Sequence, residues 1–404
     1  MSTYKWQFAP RFKRNAFGWR SDTPVQRIKE ALSEIRLVAR KEPILAAEGA
    51  IVLLEKLSPA LMNVDSSSGA LGSMVNRAIE TLVPILTQAD VNLAMRQRWL
   101  DRLWEAIEAD EMPYIENLSD HWGELCVSPE LASAWADQFL PIVERVWSPT
   151  EPGHGYFRGT DACLSALHAA GRYDELLTLL AKASYKSWNN RRWGVKALMA
   201  QGKMEEALAY AEDSRGLNTP DGQISQMCEE ILLTSCLADE AYLRYAIAAN
   251  QNTTNLATFR AIVKKYPHKN PANILRDLVK SEPGAEGKWF AAAKDAGFFD
   301  VAIELARRSP TDPRTLTRAA RDFAVKRPEF AIAAGLAALS WMARGYGYEL
   351  TGLDVHAAFD AVMQAAAGMG MDDQQIKAQV REMIDVQQPG MNFVQQTLQV
   401  QLRH

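Results

Sequence analysis

A short pattern of a turn followed by a new apolar helix returns six times from residue 169 onward, and in the two clearest copies an acidic pair follows the glycine. It is clearest in "AAGRYDELLTLL" (169–180) and "AQGKMEEALAYA" (200–211). A glycine supplies the left-handed end of a helix, and acidic residues favour the start of the next one. A repeat of about 30 residues has the length of a helical hairpin, and six in a row predict an α-solenoid. The markers are Gly171, Gly202, Cys236, His268, Gly297 and Lys326, of which His268 and Lys326 are the weaker copies.

The hairpin length and the stretch "GKMEEAL" (202–208) resemble tetratricopeptide-type repeats, over residues 158–340 only. The resemblance implies a non-catalytic scaffold that holds a protein or peptide partner in a concave groove lined by the first helix of each hairpin. It implies no particular partner, since a fold does not specify a function. The uneven spacing of the markers leaves a looser α-solenoid of mixed hairpins as the alternative.

The rest of the chain is also helical in pattern, which makes the predicted fold class all-α. Apolar residues recur at three- and four-residue steps, and the alternation typical of strands is nearly absent. The segment 21–41 is predicted to form one helix, and further helices are predicted at about 70–88, 91–109, 113–126 and 129–147. The stretch "SPTEPGHGYFRG" (148–159) predicts the main boundary. The predicted parts are an N-terminal arm (1–23), a helical domain (24–148), the repeats (158–342) and a C-terminal helical cap and tail (343–404).

Charge differs between the two helices of each hairpin, here called A before the turn and B after it. The predicted A helices sum to +7, whereas the first three B helices are rich in acids. By the resemblance, the groove is then basic and attracts an acidic partner. The alternative is that these cations only compensate acids in neighbouring turns. The candidate groove residues are Arg191, Arg192, Trp193, Lys196, Arg260, Lys264, Lys265, Lys288, Trp289, Arg314, Arg318 and Arg321.

The N-terminal stretch "KWQFAPRFKRNAFGWR" (5–20) mixes aromatic and basic side chains. It fits an arm that binds nucleic acid or an acidic protein, a strip on a membrane surface, or a structural arm buried against the acidic and aromatic segment 99–126. Pro10 and Gly18 interrupt any single amphipathic helix. Burying each of five large rings contributes about 1.5–3 kcal/mol, which favours the structural arm. The candidate arm residues are Trp6, Arg11, Lys13, Arg14, Trp19 and Arg20.

The motifs of common chemistries are missing from the sequence. The six histidines have no metal-binding spacing, and neither a phosphate-binding loop nor a nucleophile elbow occurs. No catalytic residue, metal or cofactor is therefore predicted. The four cysteines are expected to be buried and reduced, with Cys228 and Cys236 on one helix face.

The functional prediction is a cytoplasmic protein-binding scaffold, because neither a signal peptide nor an apolar run long enough to cross a bilayer is evident. A nucleic-acid-associated protein that uses the arm and the groove is the first alternative. An enzyme without a recognisable motif is the second.

Overall fold

The computed structural model describes residues 4–148, 156–183, 185–216, 219–385 and 392–403. Every regular element within these ranges is a helix, which confirms the all-α fold class. The chain forms two compact units, Met1–Pro220 (unit 1) and Asp221–His404 (unit 2). The predicted boundary at 148–159 lies inside unit 1, and its residues 149–155 are outside the described ranges.

Unit 1 begins with helices that bury an aromatic core. Trp104 lies 4.6 Å from Phe139 and 5.8 Å from Trp122, measured between ring centroids, and Trp135 is 5.1 Å from Trp122. The predicted helix at 113–126 is instead a 3-10 helix, Glu116–His121, followed by one short α-helix. The first six α-helices are α1 (Asp22–Ala39), α2 (Pro43–Leu61), α3 (Ala70–Thr87), α4 (Leu93–Glu108), α5 (Trp122–Cys126) and α6 (Pro129–Val146).

Within the described ranges six helical hairpins follow, two in unit 1 and four in unit 2, which confirms the predicted repeats. The A helix of the fifth hairpin is a 3-10 turn, Glu286–Trp289, that continues directly as an α-helix. The A/B pairs in unit 1 are α7 (Thr160–Ala169) with α8 (Tyr173–Ala181) and α9 (Trp188–Ala200) with α10 (Met204–Glu212). Those in unit 2 are α11 (Asp221–Thr234) with α12 (Ala238–Ala249), α13 (Asn255–Lys265) with α14 (Pro271–Ser281), α15 (Phe290–Asp295) with α16 (Phe299–Arg308), and α17 (Pro313–Phe323) with α18 (Pro328–Ala343).

Four of the six turns use the same backbone hydrogen bond. In the first, the N–H of Arg172 donates to the C=O of Leu167 across Gly171, whose φ is 73°. The donor is the residue that follows the left-handed glycine, and the acceptor lies five residues before the donor. This hydrogen bond is typical of a Schellman helix end. Equivalent bonds close the turns at Gly202, Cys236 and Gly297, with donors Lys203, Leu237 and Phe298.

The turn at Cys236 corrects the sequence interpretation of two cysteines. Cys236 takes the left-handed conformation, with φ 60°, and lies beyond the end of α11. Cys228 is buried within α11, whereas Cys236 is exposed. The two thiols therefore do not share a helix face, because the chain turns between them.

The two weaker markers correspond to turns of another kind. Neither His268 nor Lys326 has a positive φ. In both hairpins the B helix starts with a proline, at Pro271 and Pro328, so the punctuation is carried by the second helix. Asn270 strengthens the first of these starts by accepting a hydrogen bond from the N–H of Ala272 at 2.9 Å.

Helix α18 forms the centre of unit 2. It is apolar on almost every side and buried along most of its length, as expected of a helix that has neighbours all round. The remaining helices of unit 2 are α19 (Gly352–Gly368), α20 (Asp373–Ile384) and α21 (Phe393–Thr397), and all three pack against α18. Val394 and Leu398 of the C-terminal tail are buried in these contacts.

Candidate partner-binding surface

The second A helix, α9, holds the first group of predicted groove residues. Arg191 is only 9% exposed, and its Nε donates to Ser214 Oγ at 2.6 Å. Its Nη2 lies 2.8 Å from Asp213, and the guanidinium stacks 3.9 Å from the Tyr210 ring centroid. The side chain therefore ties α9 to the end of its own hairpin.

The neighbouring cations of α9 are also engaged inside unit 1. Arg192 forms an ion pair with Asp120 and donates to the C=O of Asn189. The Lys196 ammonium lies 4.3 Å from the ring of Trp193, which is buried beneath it.

In unit 2, two groove candidates connect successive A helices. Arg260 of α13 binds both carboxylate oxygens of Asp295 in α15, at 2.9 and 2.6 Å. Lys265 of α13 lies 2.7 Å from Glu229 in α11. These partners could not be predicted from local sequence, because they lie about one repeat away along the chain.

Glu229 is a buried carboxylate that connects neighbouring hairpins through hydrogen bonds. It is only 1% exposed and accepts hydrogen bonds from Tyr266 Oη at 2.6 Å and Asn250 Nδ2 at 2.7 Å. Burial, together with the bond to Glu229, raises the pKa of Tyr266. Together with the Lys265 ammonium, these groups place three donors around the buried carboxylate. A buried charge requires such partners.

The sixth A helix, α17, has paired and unpaired cations. Arg314 binds Asp354 of α19 at 2.9 Å, and this hydrogen bond lowers the pKa of Asp354 to about 2. Arg321 pairs with the adjacent Asp322 at 2.9 Å. Both arginines remain exposed, so these are surface ion pairs worth about 0–1 kcal/mol each.

Three groove candidates in unit 2 remain unpaired. Lys264, Lys288 and Arg318 are exposed and form no ion pair or hydrogen bond with any residue in the described part of the chain. Trp289 is buried next to Lys288 in sequence. Of the predicted groove, these three cations are therefore the ones free to meet an external charge.

The A helices remain basic and the B helices acidic with the observed bounds, but the net charge of the A helices is lower than the predicted +7. Asp221 and Glu286 fall within A helices, and Arg158 lies outside them. The six A helices then sum to +4 and the six B helices to −6.

Four of the five rings in the N-terminal arm are buried, namely Trp6, Phe8, Phe12 and Phe17. The arm lies against α1 and α2. The N–H groups of Gln7 and Phe8 donate to the Glu34 carboxylate of α1 at 2.9 and 3.1 Å. Gly49 of α2 leaves space for the Trp6 ring, which a Cβ there would overlap.

The other arm candidates lie at the surface. Arg11 pairs with Glu30 at 2.7 Å, and Arg14 pairs with Glu111 at 3.3 Å. Glu111 belongs to the segment 99–126, the expected internal partner, whereas the backbone of the arm bonds to Glu34 of α1, Pro59 of α2 and Asp65. Lys13 and Arg20 are exposed, and Trp19 departs from the other rings with 72% of its surface exposed.

The described residues contain neither a helix suited to crossing a membrane nor a group of side chains suited to holding a metal ion. None of their helices combines the length and the apolar character needed to cross a bilayer. No group of three or more histidine, cysteine or acidic side chains among them is arranged to hold a metal ion.

Comparisons with known proteins identify no family for this chain. No protein-family model matches the chain, and no curated protein matches it. A solved structure described as "Crystal structure of APC/C hetero-tetramer Cut9-Hcn1" is similar over 89% of this chain and 76% of the other. The identity is 10% and the TM-score is 0.27, too low for the likeness to say anything about the function of this chain.

Proposed function

We propose that the protein is a cytoplasmic, non-catalytic scaffold whose A helices bind an acidic protein or peptide partner. The observation that supports this best is the set of three exposed, unpaired cations, Lys264, Lys288 and Arg318, on the A helices of unit 2. Tandem helical hairpins supply a rigid framework for presenting such side chains.

The division between paired and unpaired cations determines which residues act. A cation that already faces a carboxylate, such as Arg260 beside Asp295, has much of its field cancelled. Lys264, Lys288 and Arg318 keep theirs and attract anions from solution. The binding residues proposed here are therefore these three, with the paired cations serving mainly to connect helices.

The test uses the full chain and a fluorescein-labelled oligoglutamate peptide, with binding followed by fluorescence anisotropy at low salt. The triple variant Lys264→Glu/Lys288→Glu/Arg318→Glu should lose at least tenfold in affinity. Binding by the unchanged protein should weaken steeply as salt is added, because exposed charges are screened.

A matched control reverses three exposed cations outside the A helices, in the variant Lys29→Glu/Arg98→Glu/Lys326→Glu. This control has the same net charge and should keep its affinity within about twofold of its parent. Equal losses in the two triples would contradict the proposal, as would tighter binding of an oligothymidine of equal charge, which would favour a nucleic-acid partner.

A further inference from the structure

A second surface of unit 2 has the features of a docking site, and it is formed by B helices. A cleft of about 450 Å³ lies between α14 and α16 of the fourth and fifth hairpins. Its lining is mainly apolar, and Val301 stays 40% exposed within it. The apolar lining residues are Ala272, Leu275, Val279, Phe298, Val301 and Leu305.

The rim of this cleft is positively charged. Arg276 and Lys280 lie one turn apart on α14, both exposed, and neither forms an ion pair within the described ranges. Arg308 lies on the opposite side, 3.7 Å from Glu304, the one acid in the lining. Three cations against one carboxylate leave the cleft net positive.

Helix α14 is exceptional among the B helices. With the observed bounds it is the one B helix with a net positive charge, whereas the B helices together are acidic. Its single acid, Asp277, accepts a hydrogen bond from Tyr242 Oη of α12 at 2.7 Å, so it is engaged by the preceding hairpin. The cations that face the cleft are not neutralised from their own helix.

The cleft continues onto the next B helix. A second cavity, of about 750 Å³, lies between α16 and α18 and shares Glu304 and Arg308 with the first. Phe299, Ile303 and Phe330 line it together with the acids Asp300 and Glu329, and the Arg327 guanidinium covers the Phe299 ring at 4.3 Å. Charged side chains of both signs line this second cavity, so the apolar cleft with a positive rim is the one between α14 and α16.

We infer that the cleft between α14 and α16 docks an acidic amphipathic helix of a partner protein. Apolar side chains on one face of such a helix enter the cleft between α14 and α16, and its carboxylates reach Arg276 and Lys280. Apolar anchors supply the affinity, and the complementary charges set orientation and speed of association. This site goes beyond the proposed function, because it uses B helices instead of the unpaired cations of the A helices.

The experiment uses the full chain and a fluorescein-labelled peptide of leucine and glutamate, spaced so that the leucines line one face of a helix. The peptide should bind, and Arg276→Glu/Lys280→Glu should weaken it at least tenfold. Val301→Asp places a charge in the cleft from an exposed position and should weaken binding to a similar extent. Circular dichroism melts identify any variant that has lost its fold.

Two controls separate this site from the A helices. The variant Lys264→Glu/Arg318→Glu should leave binding of the leucine–glutamate peptide within twofold, while weakening oligoglutamate binding. The same peptide with lysine in place of glutamate should bind at least tenfold more weakly to the unchanged protein.

Three results would overturn the inference: no binding of the leucine–glutamate peptide, equal binding of its lysine counterpart, or no effect of the α14 reversal in a folded variant. Loss of peptide binding only in the A-helix variant would also overturn it, while leaving the proposed function intact. If oligoglutamate binding does not respond to the A-helix variant but the α14 reversal weakens the peptide, the proposed function fails alone.

Discussion

Gly171 and Gly202 hold the left-handed conformation at two hairpin turns, as the sequence pattern predicts. Their φ angles are 73° and 75°, and a Cβ at either position would meet no atom within 4 Å. Substitution therefore strains the backbone without a steric clash. We expect Gly171→Val and Gly202→Val each to lower the free energy of unfolding by at least ~1 kcal/mol, measured by denaturant titration.

Gly72 provides the matched control for this prediction. It lies within α3, has no positive φ, and a Cβ there also meets open space. Because valine is better tolerated than glycine in a helix, Gly72→Val should not destabilise the protein. Unchanged stability in the Gly171 and Gly202 variants would show that these turns do not depend on glycine.

Asp161 is the residue with the clearest expected pH dependence. Burial, with a further contribution from Asp120, raises its pKa from 3.8 to about 7, although Arg192 acts in the opposite direction. Its Oδ1 is buried and has no hydrogen-bond partner in the described part of the chain. In the unfolded chain the carboxyl ionises at its ordinary pKa, so the unfolded state loses its proton first. Asp161 therefore costs stability progressively as the pH rises from about 4 to 7, and the cost is constant above that.

Asp161→Asn removes this ionisation while keeping the shape of the side chain. Its gain in unfolding free energy over the parent should increase between pH 4 and 7 and then level off. Asp90, an exposed residue that forms no ion pair with the described residues, supplies Asp90→Asn as the matched removal of one surface carboxyl. A flat difference for Asp161→Asn would contradict the raised pKa.

At the scale of elements, the N-terminal arm buries four of its five large rings, and its two tryptophans test how much this burial contributes to stability. Trp6 is buried against Gly49, whereas Trp19 is exposed. Trp6→Ala should cost about 3–5 kcal/mol of unfolding free energy, and Trp19→Ala should stay within about 0.5 kcal/mol. Chemical denaturation of the two variants measures both values. Equal stability of the two variants would mean that the arm is not part of the core.

The sequence could predict the burial of the arm but not its exception. Five interleaved rings carry too much apolar area to leave in water, and this argument is correct for four of them. Trp19 is held through its backbone, since its C=O accepts a hydrogen bond from the N–H of Asp65, and its ring stays exposed. A contact 46 residues away in sequence is invisible to local pattern.

Helices and turns were predictable because their signals are local. Glycine, proline and acidic residues at fixed offsets identified all six hairpins, since each acts on the backbone within a few residues. The state of each cation was not predictable in this way. Arg192 meets Asp120 from 72 residues away, and Arg260 meets Asp295 from 35. Charge counts along the chain therefore indicate a basic set of helices without showing which cations are free.

For the whole molecule, the open question is where the chain divides into parts that fold alone. The sequence favours a boundary at 148–159, whereas the division of the chain into two compact units falls between Pro220 and Asp221. Across the first position, Arg158 donates to the C=O of Ile107 at 2.7 Å. The Ser165 hydroxyl of α7 accepts a hydrogen bond from the N–H of Gly123 and donates one to the C=O of Asp120. A cut near 158 thus severs contacts of a shared core.

Fragments that end at each position distinguish these two boundaries. We expect residues 1–220 and 221–404, expressed separately, each to show a single cooperative thermal transition by circular dichroism. Residues 1–157 should lack such a transition and bind a hydrophobic dye, because removing α7 uncovers the apolar faces of α5 and α6 that pack against it. Cooperative, dye-free folding of 1–157 would place the boundary at 158 instead. The outcome also bears on binding, since an autonomous fragment 221–404 contains both Lys264 and Arg276 and would let the A-helix and B-helix sites be measured apart from unit 1.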